Sequence, residues 1–243
     1  MSGLDLVAVG AHPDDVELGC GGTLALAVSQ GLAAGIVHLT SGEAGTRGTP
    51  ERRRAEAAAA AEALGVGELA FLDCGDGGLR RGPEEEDALI ELFRRWRPEV
   101  VLGPPVDDRH PDHRRAHALV RDAFFYAGLA KRRPDVGAAH RPGAHFHYLA
   151  HDLQVPTFIV DVTSVWARKM AALDAYESQL HRAGQEAVAE PPTKVSSREF
   201  RRAVEGRARE LGMVIGVPYG EGFTANGPLA VSRPWELVTG GVR

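Results

Sequence analysis

Through the first half of the chain, short apolar runs alternate with helix-period stretches, and that alternation commits the fold to βαβ units around a parallel sheet. Residues 4–11 (LDLVAVGA), 35–40, 69–73 and 99–104 read as buried strands. Between them the sequence predicts helices over 16–30, 51–64 and 84–96, with Gly31 and Gly65 as stops. The expected class is α/β: a Rossmann-like, mostly parallel sheet with helices on both faces. In Rossmann order the first and fourth strands lie side by side, and ligands collect at the carboxyl ends of the strands. The second half is less regular. Residues 145–151 and 157–163 read as strands and 165–181 and 197–211 as helices, while 184–193, with Pro191 and Pro192, cannot continue a helix. Residues 132–144 are predicted as a mobile loop beside the site. A chain of 243 residues with no internal repeat and no compositional break is expected to form one domain, 1–243.

Two of the strand ends carry the same tripeptide. The first strand runs into AHPDD (11–15), and the fourth is followed by RHPDH (109–113). If those strands are neighbours, His12 and Asp15 from one loop and His113 from the other converge on one point. Two imidazole nitrogens and one carboxylate oxygen suit Zn²⁺ and leave a fourth position open, as in a catalytic site. His110 is the alternative ligand, three residues before His113. The plainer reading makes Asp14 and Asp112 helix N-caps. His117, four after His113, is expected at an ordinary helix position, because Pro111 suggests that RHPDH is a loop. The remaining histidines, 38, 140, 145, 147, 151 and 181, belong to neither motif and are expected as loop, strand or surface residues. The glycines of GCGG (19–22) do not follow the strand directly, so they make a poor dinucleotide fingerprint and better serve close helix–sheet packing.

AHPDDVELGCGGTLA (11–25) and RHPDHRRAH (109–117) resemble the PIG-L/LmbE-like zinc deacetylases. With GTPERRRAEA (48–57), FIVDVT (158–163), AYESQL (175–180), SREF (197–200) and YGEGF (219–223), the chain is similar to the bacillithiol-pathway branch of that family, the N-acetyl-α-D-glucosaminyl L-malate deacetylases. The resemblance implies zinc-dependent hydrolysis of GlcNAc-malate to glucosaminyl-malate and acetate. It implies one Zn²⁺ per chain on His12, Asp15 and His113, a donor set that Fe²⁺ would also accept. It also makes Asp14 the general base and His110 the stabiliser of the oxyanion, with Asp112 placed to orient the His110 imidazole. Arg53, four after Thr49, matches a family Thr-x-x-x-Arg pattern; it or Arg109 would grip the malate carboxylates through a bidentate fork. The implied assembly is a homo-oligomer such as a hexamer. Competing expectations are a deacetylase or amidase for another GlcNAc conjugate, such as a GlcNAc-inositol or a thiol S-conjugate, and a Rossmann-type nucleotide-binding protein.

Composition narrows the partners. A net charge of -5 with interspersed signs offers no basic face for nucleic acid. Two cysteines without metal or disulfide spacing suit a reducing, cytoplasmic enzyme. Neither a signal-peptide pattern nor a membrane-length apolar run is present, so a small-molecule substrate and no membrane partner are expected.

Overall fold

The computed structural model describes residues 3–152, 154–181 and 190–230. Strands β1 (Leu6–Gly10), β2 (Ala34–His38), β3 (Glu68–Phe71), β4 (Val100–Gly103) and β5 (Ala144–Tyr148) pair in parallel, and helices α1 (Asp15–Ser29), α2 (Pro50–Leu64), α3 (Pro83–Trp96) and α4 (Pro111–Ala127) link the first four and follow the fourth. Then come β6 (Phe158–Asp161), α5 (Trp166–Asp174), α6 (Arg198–Ile215) and β7 (Gly220–Ala225). The sheet order is β3-β2-β1-β4-β5-β7-β6, with β7 antiparallel to both neighbours. The α/β, mostly parallel arrangement is as expected, and β1 and β4 are adjacent.

Alternation along β1 builds the two layers. Ala8 faces a core with Leu24, Leu64, Leu173 and Tyr176, whereas Val7 and Val9 face Leu89, Phe93 and Leu119 on the opposite side. Each large apolar side chain so buried contributes about 1.5–3 kcal/mol.

Helix α1 is broken at Cys20, whose φ of -146° is not helical. The glycines around it let the helix sit close to the sheet: a Cβ at Gly19 would stand 2.2 Å from the Tyr148 ring. The break frees backbone amides in the middle of the helix, and a carboxylate from β7 takes them. Glu221 accepts from Gly22 N at 2.8 Å and from Thr23 N at 2.7 Å. Lys169 of α5 neutralises it at 2.6 Å and also donates to Leu18 O at 2.8 Å. Both charges are buried. Removing one partner of such a pair leaves an uncompensated charge and costs about 3–5 kcal/mol. Lys169→Met is therefore expected to lower the unfolding free energy by about that much in urea titrations; a loss below about 1 kcal/mol would show the pair to be dispensable.

Two local expectations are corrected. The helix expected over 165–181 stops at Asp174, because Ser178 is drawn onto α2: its N and Oγ donate to Glu56 at 2.8 and 2.6 Å. Residues 132–144 lie at the amino ends of the strands, away from the His loops. Arg94 laces them to α3 through the carbonyls of Leu129, Arg132 and Arg133, and Gly143 N donates to Glu99 O at 2.8 Å. Strand β7 was not anticipated. Most of the linker expected over 184–193 falls outside the described residues.

Candidate metal and active site

β1 ends at Gly10 and the chain turns through HPDD into α1. Asp14 sits at φ 102°, the left-handed region, which costs a non-glycine residue about 1–2 kcal/mol. Arg53 of α2 holds the turn: Nη2 donates to Pro13 O at 2.6 Å and Nη1 to Gly42 O at 3.2 Å. The Asp14 side chain caps nothing, so the N-cap reading fails. Its carboxylate is buried, with Oδ2 3.9 Å from Arg53 Nη2. Burial pushes its pKa up to about 7 against the pull of Arg53. Backbone strain and a desolvated carboxylate in one loop mark a functional position.

Asp15, beside it, faces the other way. Its Oδ2 accepts from His12 N at 2.9 Å and lies 3.3 Å from His12 Nδ1, while its Oδ1 lies 3.2 Å from His113 Nε2. The outer nitrogen of each imidazole meets a second carboxylate. His12 Nε2 is 3.0 Å from Asp76 and 3.6 Å from Asp112; His113 Nδ1 is 3.1 Å from Asp108. This is the carboxylate–histidine arrangement that orients metal-binding imidazoles. The charge balance points the same way. Burial opposes a charge on His113, but Asp15 and Asp108 overcome it and lift the pKa to about 10. His12 is likewise held well above its ordinary value by Asp112, Asp15 and Asp76, despite burial. A pocket that stabilises positive charge this strongly, with two imidazoles and a carboxylate at its centre, fits a divalent cation.

α4 starts at Pro111, in the first helical position where a missing N–H is harmless. His113 is therefore on the helix rather than in a loop, and His117 lies one turn along the same face. His117 is nonetheless turned away: its Nδ1 faces Pro104 O at 3.2 Å, and its ring packs among His145 and His147. His38 and His147 are buried in the sheet, and His145 is partly buried beside His147. His110 caps α4, its Nδ1 accepting from Asp112 N at 3.3 Å. A neutral imidazole that accepts at Nδ1 carries its proton on Nε2 and can donate from that side. Burial and the neighbouring His12 and His113 lower its pKa. The donor atoms of His12, His110 and His113 lie within 4.8 Å of one another, so all three rings border the same space.

Two expected roles change. The Asp112 carboxylate does not orient the His110 ring; it accepts from Gly77 N at 2.8 Å, Leu79 N at 3.0 Å and Arg115 at 2.9 Å, so only the Asp112 amide reaches His110. Arg53 offers no open fork, since Pro13 and Gly42 occupy its amino groups beneath the loop. Arg109 is exposed at the mouth of a cavity of about 290 Å³ that opens beside Asp15 and His113. Leu18, Leu149 and Phe200 line this cavity, and Lys194 and Arg207 add positive charge. Sequence reasoning missed Asp76, Asp108 and His151. The first two stand in loops that leave β3 and β4, a position that could have flagged them; His151 was passed over as part of a strand that in fact ends at Tyr148.

Comparisons with known proteins agree with this geometry. The family described as GlcNAc-PI de-N-acetylase, PIG-L, matches residues 7–124. Diacetylchitobiose deacetylase of Thermococcus kodakarensis is 33% identical over 189 residues, covering 72% of this chain and 69% of that protein. 4-Oxalmesaconate hydratase of Pseudomonas putida is 32% identical over 191 residues, covering 72% and 74%. The crystal structure of the conserved protein TT1542 from Thermus thermophilus superposes with a TM-score of 0.85 at 38% identity, covering 96% of this chain and 99% of that one. Sheet, paired HPD loops and relatives together place the chain in the PIG-L family of metal-dependent N-deacetylases.

Proposed function

We propose that the protein removes the N-acetyl group from GlcNAc conjugates, with Zn²⁺ held by His12, Asp15 and His113, and that its own substrate is GlcNAc-malate. The observation that carries the reading is the placement of Asp14, a strained and buried carboxylate, next to that donor set, of which Asp15 and His113 line the cavity. A bound divalent cation there polarises a carbonyl and makes water more acidic. Asp14 takes the proton of the attacking water and passes it to the departing amine, a role suited to a carboxylate whose pKa burial raises. His110 donates from Nε2 to the charge that develops on the acetyl oxygen. Arg53 fixes the Asp14 turn, and Arg109 is left as the candidate grip on the aglycone. The apolar wall and the cations Arg109, Lys194 and Arg207 suit a sugar whose aglycone carries carboxylates. The diacetylchitobiose relative supports the sugar half of the reading, and the downstream matches from residue 48 to 223 support the malate half.

Acetate release from GlcNAc-malate, free GlcNAc, diacetylchitobiose and a GlcNAc-inositol conjugate tests it side by side. GlcNAc-malate is expected to give the highest kcat/KM. Equal efficiency on all four would remove the malate assignment, and no acetate from any of them would remove the deacetylase reading in favour of chemistry like that of the hydratase relative. A charge-assisted fork is worth about 1.5–3 kcal/mol, so Arg109→Ala is expected to raise KM for GlcNAc-malate about 10- to 100-fold and to leave free GlcNAc within about twofold. An equal rise for both substrates would take Arg109 out of aglycone recognition.

A further inference from the structure

Asp108, two residues before His110, is fully buried and belongs to neither HPD motif. Its two oxygens join three parts of the site. Oδ1 accepts from His110 N at 2.8 Å and stands 3.1 Å from His113 Nδ1. Oδ2 accepts from His151 N at 2.9 Å, in the loop that leaves β5. That loop carries the cavity wall: the His151 ring lies parallel to His113, with centroids 5.4 Å apart and 7° between planes, and Arg207 of α6 donates to His151 O at 3.0 Å. One carboxylate thus spans the β4–α4 loop, a metal-facing imidazole and the aglycone side of the cavity.

We propose that Asp108 is a positioning residue that sets the tautomer and orientation of His113, so that Nε2 is presented toward Asp15, and that couples this ligand to the His151 wall. A carboxylate on Nδ1–H leaves the lone pair on Nε2, and losing such a partner typically weakens metal binding 10- to 100-fold. Capping of two loop amides alone would stabilise the fold without touching the metal. Direct ligation by Asp108 with His113 and His151, whose donor atoms also lie within 4.8 Å, competes less well because both Asp108 oxygens already accept backbone amides.

The inference rests on His113 being a ligand, so His113→Ala is measured in parallel. Zn²⁺ affinity is read by competition with a chromophoric chelator, and the visible band of the Co²⁺-substituted protein reports ligand geometry. Asp108→Asn, which keeps the shape, is expected to raise the Zn²⁺ Kd about 10- to 100-fold and to shift the Co²⁺ band, with the exposed neighbour Asp107→Asn unchanged. It is also expected to raise KM for GlcNAc-malate more than for free GlcNAc, through His151. An unaltered Kd and Co²⁺ band with only a lower melting temperature would overturn the proposal. So would loss of a second, weaker Zn²⁺ with the first unaffected. If His113→Ala keeps its zinc, the ligand assignment fails; if it loses zinc while Asp108→Asn binds as the unmodified protein does, the Asp108 proposal alone fails. Should Asp108→Asn not fold, Asp108→Glu, which keeps the charge but moves it, is read against the same outcomes.

Discussion

His113→Ala is expected to lose its stoichiometric divalent metal and to release acetate at least about 10⁴-fold more slowly, since polarisation of the carbonyl and activation of water are lost together. The measurement is metal content after dialysis, followed by single-turnover acetate release with and without added Zn²⁺. Chelation of the unmodified protein should reproduce the loss, and Zn²⁺ should restore the unmodified protein but not the variant. His110→Ala separates the roles. Loss of one donor to a developing oxyanion slows turnover about 10²- to 10³-fold and leaves the metal in place. Stoichiometric metal in His113→Ala together with metal-free His110→Ala would exchange the two assignments, a real contest because the three rings border the same space.

Asp14→Asn is expected to keep its metal and fold while kcat drops about 10²- to 10⁴-fold, the range for a lost proton acceptor. Asparagine tolerates the left-handed backbone as aspartate does, so the turn at φ 102° survives the substitution. The pH profile supplies an independent readout. The working form is the carboxylate, so activity of the unmodified protein rises as pH rises through the Asp14 pKa. Burial places that pKa at about 7, far above the ordinary 3.8, and a cation beside it favours the charged form and draws it down between those limits. The acidic limb should vanish in Asp14→Asn. Near-normal turnover in that variant would reduce Asp14 to a turn residue.

The sequence was legible where local pattern and function coincide. Apolar runs mark β1 and β4, and their adjacency in Rossmann order is enough to bring His12 and His113 together. It was illegible where tertiary contacts decide. The segment of β7, GEGFTA, has glycine at 220 and 222 and carries no clear strand pattern; it extends because β5 and β6 offer it ladder partners on both sides. Arg53, four after Thr49, suggests a grip on substrate, yet the turn of the helix buries it and its amino groups go to Pro13 O and Gly42 O, while Arg52 pairs with Glu56. Asp76 and Asp108 stand in loops at strand ends, a position that flags carboxylates as a group but does not separate Asp108, which turns inward, from its exposed neighbour Asp107. Pro111 suggests a loop through His113, yet it occupies the first position of α4 and puts His113 on the helix.

The grip of Glu221 on Gly22 and Thr23 spans 199 residues. While the chain is being synthesised, the first helix emerges with its central amides unsatisfied, and the group that satisfies them emerges 199 residues later. Contacts of such long separation close slowly, because the loop entropy must be overcome before the contact forms. The break in α1 is therefore completed only when β7 docks, well after the HPDD turn at the head of that helix and the Arg53 that holds it have emerged.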